Sequence, residues 1–196
     1  MSINILEKPV LISDARLAFG LENIDKLFAG FTLGDFGVLY GLPTCLPLSL
    51  LLSVNCQLPA EQGGLDSPAI FVDGGNSFDL YEVSRIAQQR GLDPKTVLER
   101  IFISRAFTAH QLTSLIADKL KLAVNKYAAK LVIISDVLGL YLDQDVPKKE
   151  ATDTFNKLTI SLSRFAMDNR VIVVATHFSR NFSGRSKHFE SLRLHR

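Results

Sequence analysis

The sequence contains no tryptophan, only two cysteines and no apolar run long enough to cross a bilayer. A membrane-spanning helix needs about 20 mostly apolar residues, whereas the most apolar stretch covers only residues 46–54. Residues 1–10 include Glu7 and Lys8 and lack the apolar centre of a secretory signal. We therefore expect a cytoplasmic protein that has no membrane partner.

Metal-binding and redox motifs are also lacking. Cys45 and Cys56 do not have C-x-x-C spacing, which favours two buried thiols in a reducing compartment. His177 and His188 have no cysteine or carboxylate at ligand spacing along the chain. The sequence therefore predicts no metal site.

Overall charge gives little indication of a partner, because the formal net charge is only +2 over 196 residues. The composition, 47% hydrophobic and 21% charged, is typical of a folded domain. We predict one domain over residues 1–196, with a lead-in at 1–15 and a basic tail at 177–196. That tail carries five arginines and lysines interleaved with three phenylalanines.

Short apolar runs alternate with segments of helical periodicity along most of the chain. The predicted strands are residues 38–40, 69–73, 101–104, 131–134 and 171–174. The predicted helices cover residues 20–28, 48–54, 78–90, a short stretch from Pro94, 109–127, and a segment after the polar loop 143–150. Strands alternating with helices predict an α/β fold, with a mostly parallel sheet, helices on both faces and right-handed crossovers.

The turn after the first strand is placed like a phosphate-binding loop, between a strand and a helix, but it lacks most of the residues that bind phosphate. Such loops read G-x-x-x-x-G-K-[ST] and hold phosphates on backbone N–H groups and a lysine. Gly41 occupies the first glycine position, but Leu46, Pro47 and Leu48 replace Gly-Lys-Ser/Thr. Pro47 supplies neither an ammonium group nor a backbone N–H. Leu48 lacks the hydroxyl that would hold Mg²⁺.

Three further stretches carry a family resemblance. Residues 20–27 read Gly-Leu-Glu-Asn-Ile-Asp-Lys-Leu, and residues 58–65 read Leu-Pro-Ala-Glu-Gln-Gly-Gly-Leu. Residues 85–107 contain Arg-Ile-Ala, Gly-Leu-Asp-Pro and Arg-Ala-Phe in that order. In these features the chain resembles the ATPase core of the RecA/RadA recombinase family, nearest the archaeal RadA type, from about residue 20 to 179. The resemblance implies a RecA-like P-loop NTPase fold.

The resemblance also implies ATP and Mg²⁺ as cofactors, but the functional positions depart from the family. Gly75 stands where the family has its catalytic glutamate, and Ser135 stands where it has the acid after the fourth strand. Asp136 comes one position later, so its side chain points away from the metal unless the strand end is bulged. His177 and Phe178 replace the sensor glutamine. The degenerate nucleotide-binding positions are Gly41, Thr44, Leu46, Pro47, Leu48, Asp73 and Asp136.

These losses favour a protein that does not hydrolyse ATP, so no catalytic residue is assigned and no cofactor is expected. ATP and Mg²⁺ would bind only if the degenerate site were compensated, for example by a neighbouring subunit. An ATP-binding, DNA-dependent ATPase with an unorthodox site is therefore the alternative hypothesis. A protein-binding module unrelated to DNA is a third.

Single-stranded DNA is the partner that the resemblance implies, through loops after the fourth and fifth strands. In this sequence those loops correspond to residues 143–150 and 177–188. Arginine and lysine beside aromatic rings are typical of single-strand binding, although a solvated loop and a solvated tail are the alternatives. The candidate DNA contacts are Lys148, Lys149, Phe178, Arg180, Phe182, Arg185 and Lys187.

The leading hypothesis is a RadA-like paralogue with a degenerate P-loop, a non-catalytic accessory in DNA repair and recombination. It would bind single-stranded DNA, or dock on a RadA-type recombinase or another paralogue, and it would be able to join an oligomer.

Overall fold

The computed structural model describes residues 15–41, 44–141 and 148–178. Within them, five parallel strands form one sheet in the order β1-β5-β4-β2-β3. The strands are β1 Phe36–Gly41, β2 Ala69–Asp73, β3 Ile101–Arg105, β4 Leu131–Ser135 and β5 Ile172–Phe178. The predicted α/β fold with a parallel sheet is confirmed.

Helices connect the strands. They are α1 Glu22–Asp25, α2 Cys45–Asn55, α3 Leu80–Gln89, α4 Pro94–Glu99, α5 Ala109–Ser114, α6 Leu120–Tyr127 and α7 Lys148–Asn169. A π-helical segment, Leu115–Lys119, joins α5 to α6, and short 3₁₀ turns lie at Ala60–Gln62 and Gly139–Tyr141. None of the helices in this described part of the chain is both long and apolar enough to cross a membrane.

Polar side chains cap the N-terminal ends of three helices. The Asp79 carboxylate accepts hydrogen bonds from the first free N–H groups of α3, and Asp93 accepts from Thr96 at the start of α4. Thr108 caps α5 in the same way. Such caps stabilise a helix by about 1 kcal/mol each, because they satisfy N–H groups that have no partner within the helix.

Alternate residues of the central strands pack into two separate cores. On one face Phe71, Ile133 and Val174 pack with α2, α3 and α4. On the other face, Val72, Ile134 and Ala175 pack with α5, α6 and α7. Strands β2 and β4 are buried along their whole length, as expected for parallel strands covered on both faces.

Two predicted helices are longer than the observed ones. The helix predicted over residues 20–28 covers only Glu22–Asp25, and Leu27, which lies beyond it, is 91% exposed. The chain after this helix forms a short antiparallel bridge between Leu17 and Phe31. The helix predicted over residues 78–90 is Leu80–Gln89, and its first residue, Leu80, is 50% exposed.

Candidate functional site

The carboxyl ends of β1, β2, β4 and β5 meet at one edge of the sheet, where open α/β folds bind their ligands. Asp73 ends β2 and is paired in register with Ser135, which ends β4. Gly41 ends β1 and is paired with Phe178, which ends β5. Gly41 and Asp73, two of the nucleotide-binding positions predicted from the sequence, therefore lie at this common edge.

Asp73 is the most heavily bonded side chain of the site. Its carboxylate is fully buried and accepts the backbone N–H groups of Ser77, at 2.9 and 3.1 Å, and of Phe78, at 3.2 Å. The hydroxyl of Ser135 donates to it at 2.9 Å, and Arg105 Nε lies 3.3 Å away. Both carboxylate oxygens are therefore engaged by the protein itself.

Two opposing effects act on the pKa of Asp73. Burial acts to raise it, but the hydrogen bonds from the Ser77 amide, the Ser135 hydroxyl and the Phe78 amide outweigh burial. The pKa of Asp73 therefore lies below its ordinary value of 3.8. The carboxylate is charged at neutral pH and holds together the turn after β2.

Ser135 occupies the position at which the resemblance places an acid after the fourth strand. Its hydroxyl lies between Asp73 and the hydroxyl of Ser77, which is 3.1 Å away. It therefore joins β4 to the turn after β2 and presents no carboxylate.

Asp136 lies just after β4 with a left-handed backbone, φ +47°. Its backbone N–H donates to the hydroxyl of Thr176 at 3.1 Å, and its carboxylate lies 3.1 Å from Nδ1 of His177. The Asp136 side chain is only 13% exposed and His177 is buried. Nε2 of His177 has no hydrogen-bond partner among the described residues. The carboxylate of Asp136 thus ties the end of β4 to the end of β5.

Two glycines leave the space that Asp136 occupies. A Cβ atom on Gly75 would lie 3.0 Å from the Cβ of Asp136. A Cβ on Gly139 would overlap the Asp136 carboxylate itself. Gly75 takes the place of the glutamate expected from the resemblance. A glutamate at this position would therefore crowd the side chain of Asp136.

The start of α2 is built from apolar contacts. Leu46 and Leu48 are partly buried and pack against the core beneath the sheet, whereas Pro47 is exposed. Gly41 is exposed with φ +116°, and Thr44 makes no side-chain cap at the helix start. The Leu48 N–H already donates to the Thr44 carbonyl at 3.1 Å, and Pro47 has no N–H to offer.

These residues do not fit a magnesium–nucleotide complex. The positions of the lysine and the metal-binding hydroxyl hold Pro47 and Leu48, and the carboxylates of Asp73 and Asp136 are engaged by neighbouring side chains. Within residues 15–41, 44–141 and 148–178, no group of three or more His, Cys, Asp or Glu side chains would hold a metal ion.

Of the candidate DNA contacts, the structure describes three. Lys148 and Lys149 lie in the first turn of α7 instead of in the predicted loop, and Lys149 is exposed. Phe178 is the last residue of β5, so the predicted loop from 177 includes two strand residues. Arg180, Phe182, Arg185 and Lys187 lie outside the described residues, as do residues 143–147.

The contact that sequence reasoning missed is the one between Asp136 and His177. The two residues are 41 positions apart, so no local spacing indicates their approach. Only their equivalent places at the ends of adjacent parallel strands would have suggested it.

Comparison with known proteins agrees with this architecture. The sequence model of the Rad51 family matches residues 15–191. The chain is 30% identical over 174 residues to the DNA repair and recombination protein RadA of Aeropyrum pernix. That alignment covers 83% of this chain and 52% of the relative, so the chain spans about half the length of the curated relative it matches. The chain belongs to the Rad51 family and is related to the RadA recombinases.

Proposed function

We propose that this protein is a non-catalytic RadA-like paralogue that assists DNA repair and homologous recombination. It would act by binding single-stranded DNA or by docking on an active recombinase or another paralogue, as one RecA-like domain over residues 1–196. One observation carries the proposal: Asp73 and Asp136, the acids at the nucleotide edge of the sheet, both serve internal hydrogen bonds.

Phosphoryl transfer depends on positioned charges, since the protein itself does little covalent chemistry. In this chain Pro47 occupies the position of the lysine, Leu48 replaces the residue whose hydroxyl would bind the metal, and Gly75 replaces the catalytic glutamate. The carboxylate of Asp73 is hydrogen-bonded to Ser77, Ser135 and Arg105. It would have to lose those hydrogen bonds before it could bind Mg²⁺. Removing a partner from a buried polar group costs about 1–3 kcal/mol.

The accessory role is supported by the fold that the chain retains. A five-stranded parallel sheet with a core on each face is present in the described part of the chain, whereas Pro47 and Leu48 occupy the positions of the phosphate-binding lysine and the metal-binding hydroxyl. The name of the RadA relative refers to DNA repair and recombination. A scaffold that keeps its family fold without its nucleotide chemistry is suited to binding.

Calorimetry with ATP, with and without Mg²⁺, tests the loss of nucleotide binding directly. We expect no binding heat and no turnover, either alone or with single-stranded DNA. Magnesium-dependent binding or DNA-stimulated turnover would instead support the alternative, an ATPase with an unorthodox site.

A titration with labelled single-stranded DNA at increasing salt tests the DNA contacts. We expect affinity to fall with salt, because phosphate contacts release counterions. Joint replacement of Arg180, Arg185 and Lys187 by alanine should weaken binding, whereas Lys95→Ala, on the exposed surface of α4, should not. Unchanged binding in the triple variant would remove the tail from the interface. Absence of any DNA binding would leave docking on a protein as the function.

A further inference from the structure

Strand β1 forms one edge of the sheet and pairs only with β5 within the described residues. The N–H of Val173 in β5 donates to the carbonyl of Asp35, 2.9 Å away, just before β1 begins. In a parallel pair, alternate residues of a strand bond to the same neighbour. The N–H and C=O groups of Phe36, Val38 and Tyr40 therefore point away from β5, along an edge that no described strand covers.

This edge lacks the features that commonly prevent strands from associating. Exposed edges are protected by lysine, by proline, by a bulge or by being short. Residues 36–41 read Phe-Gly-Val-Leu-Tyr-Gly, without a charge or a proline, and they pair with β5 in continuous register. Tyr40 is 66% exposed. The edge of β1 is therefore open to a further strand, whereas β3, at the other edge, ends in Arg105.

The side of α7 next to β1 continues this uncharged surface. A Cβ atom on Gly34, two residues before β1, would lie 3.8 Å from the Cα of Met167, so α7 packs beside the edge. Thr159, Ser163 and Met167 share one face of the helix by their spacing, and Met167 is 59% exposed. Lys157 lies on the other side of α7, towards α6. The uncharged surface thus extends from the strand onto the helix.

We propose that a second copy of this chain adds its β1 to this edge, antiparallel and about a two-fold axis at Val38. One sheet then continues through both copies, and each copy uses the same surface. With Val38 opposite its counterpart, Phe36 of each copy lies opposite Tyr40 of the other. The outward-pointing backbone groups of the two strands then form about six hydrogen bonds. The proposal goes beyond the accessory role above and depends on neither nucleotide nor DNA binding.

This surface is complementary to a copy of itself. Phe36 packs with the core on the α7 face, and strand alternation places Tyr40 on that face as well. The exposed Tyr40 ring of one copy therefore meets Phe36 and Met167 of the other, and such cross-strand aromatic pairs are favourable. Asp35 of one copy comes opposite Gly41 of the other. The two Asp35 carboxylates lie at opposite ends of the interface, so no like charges face each other.

Sedimentation of the full chain over a range of concentrations tests the proposal. We expect the mass to rise with concentration from one chain to two and to stop there, because a two-fold interface is closed. Tyr40→Lys places a charge in the edge and removes the aromatic pair, and should weaken the dimer about tenfold or more. Ile103→Lys puts the same charge on the other edge strand, where Ile103 is 47% exposed, and should leave the dimer unchanged.

Val38→Pro is a second variant at the same edge. It removes the N–H at the two-fold axis, which β5 does not use, and should weaken the dimer as well. Circular dichroism melting checks that the variants fold. Tyr40→Lys decides the matter if Val38→Pro unfolds the chain, because the Tyr40 side chain is exposed.

Residue-resolved amide hydrogen exchange identifies the edge itself. We expect the N–H groups of Phe36 and Val38 to exchange more slowly as the protein concentration rises. Those of Gly37 and Leu39 bond to β5 and should be protected at every concentration. Tyr40→Lys should reduce the concentration dependence at Phe36 and Val38.

Four results would overturn the proposal. One is a chain that stays monomeric at every concentration, and another is assembly beyond two copies. The third is dissociation by Ile103→Lys without dissociation by Tyr40→Lys, which would place the interface at β3. The fourth is protection of the Phe36 and Val38 N–H groups in the monomer, because another segment of the same chain would then cover the edge. Each of these results leaves the nucleotide-binding and DNA-binding tests unaffected.

Discussion

A Cβ atom at position 75 would lie 3.0 Å from the Cβ of Asp136, closer than nearly all real Cβ contacts. Gly75 and Asp136 are two departures from the RecA/RadA pattern that lie 61 positions apart in the sequence, and they meet at the same edge of the sheet. Because one side chain fills the space that the other would need, these two changes are physically coupled. A glutamate restored at position 75 alone should therefore meet a steric obstacle from Asp136.

Gly75→Glu should lower stability without creating ATPase activity. Forcing extra atoms into packed surroundings costs about 1–3 kcal/mol, and the added carboxylate would also lie beside that of Asp136. The free energy of unfolding in urea measures the cost. Combining Gly75→Glu with Asp136→Gly should restore part of the loss, since the double variant removes the clash. A loss in the double variant equal to the sum of the losses from Gly75→Glu and Asp136→Gly measured singly would show that the two sites are uncoupled.

Asp73→Asn should destabilise the fold by about 1–3 kcal/mol, because the amide cannot accept all the hydrogen bonds that the buried carboxylate accepts. Ser135→Ala removes only one of those donors and should cost about 1 kcal/mol. Urea unfolding of both variants gives the comparison. A loss from Ser135→Ala as large as that from Asp73→Asn would contradict the central position of Asp73 in the network.

The contribution of Asp73 should depend on pH in a defined direction. Its folded-state pKa is below the ordinary value of 3.8, so its stabilisation is fully present above that value. The stabilisation is then lost as pH falls through the lower, folded-state pKa. The difference in unfolding free energy between the wild type and Asp73→Asn should therefore be constant near neutral pH and narrow on acidification below 3.8. A difference that widens in acid would reverse the sign of the pKa shift.

The sequence predicted the sheet well because each strand is a short apolar run bounded by turn residues. Residues 69–73 were predicted with the observed bounds, and Asp93 and Pro94 correctly marked the start of α4. The helix predicted over residues 20–28 was too long, since only Glu22–Asp25 is helical and the chain beyond it leads to a bridge between Leu17 and Phe31 that local sequence does not indicate. Lys148 and Lys149 were assigned to a loop because their charged neighbours show no apolar period, yet α7 begins there.

The sequence could show which functional groups are missing from the site, but it could not show which of the remaining side chains contact one another. Pro47 and Gly75 could be read as losses directly from the loop and strand-end patterns. The interaction of Asp136 with His177 required knowing that β4 and β5 are adjacent, which the order of strands along the chain does not give.

Grafting the phosphate-binding residues alone should not restore catalysis. The triple variant Leu46→Gly, Pro47→Lys, Leu48→Thr returns the glycine, the ammonium group and the hydroxyl to the start of α2. A helix N-terminus with a free N–H and a lysine favours phosphate, so we expect measurable ATP binding by calorimetry. We expect no turnover, because Asp73 stays bonded to Ser135 and position 75 still lacks a carboxylate. Pro47→Ala, which restores only the backbone N–H, is the matched control and should bind ATP far more weakly than the graft. Turnover by the graft would show instead that the hydrogen bonds of Asp73 yield readily to Mg²⁺, and that the first turn of α2 was the whole of the catalytic defect.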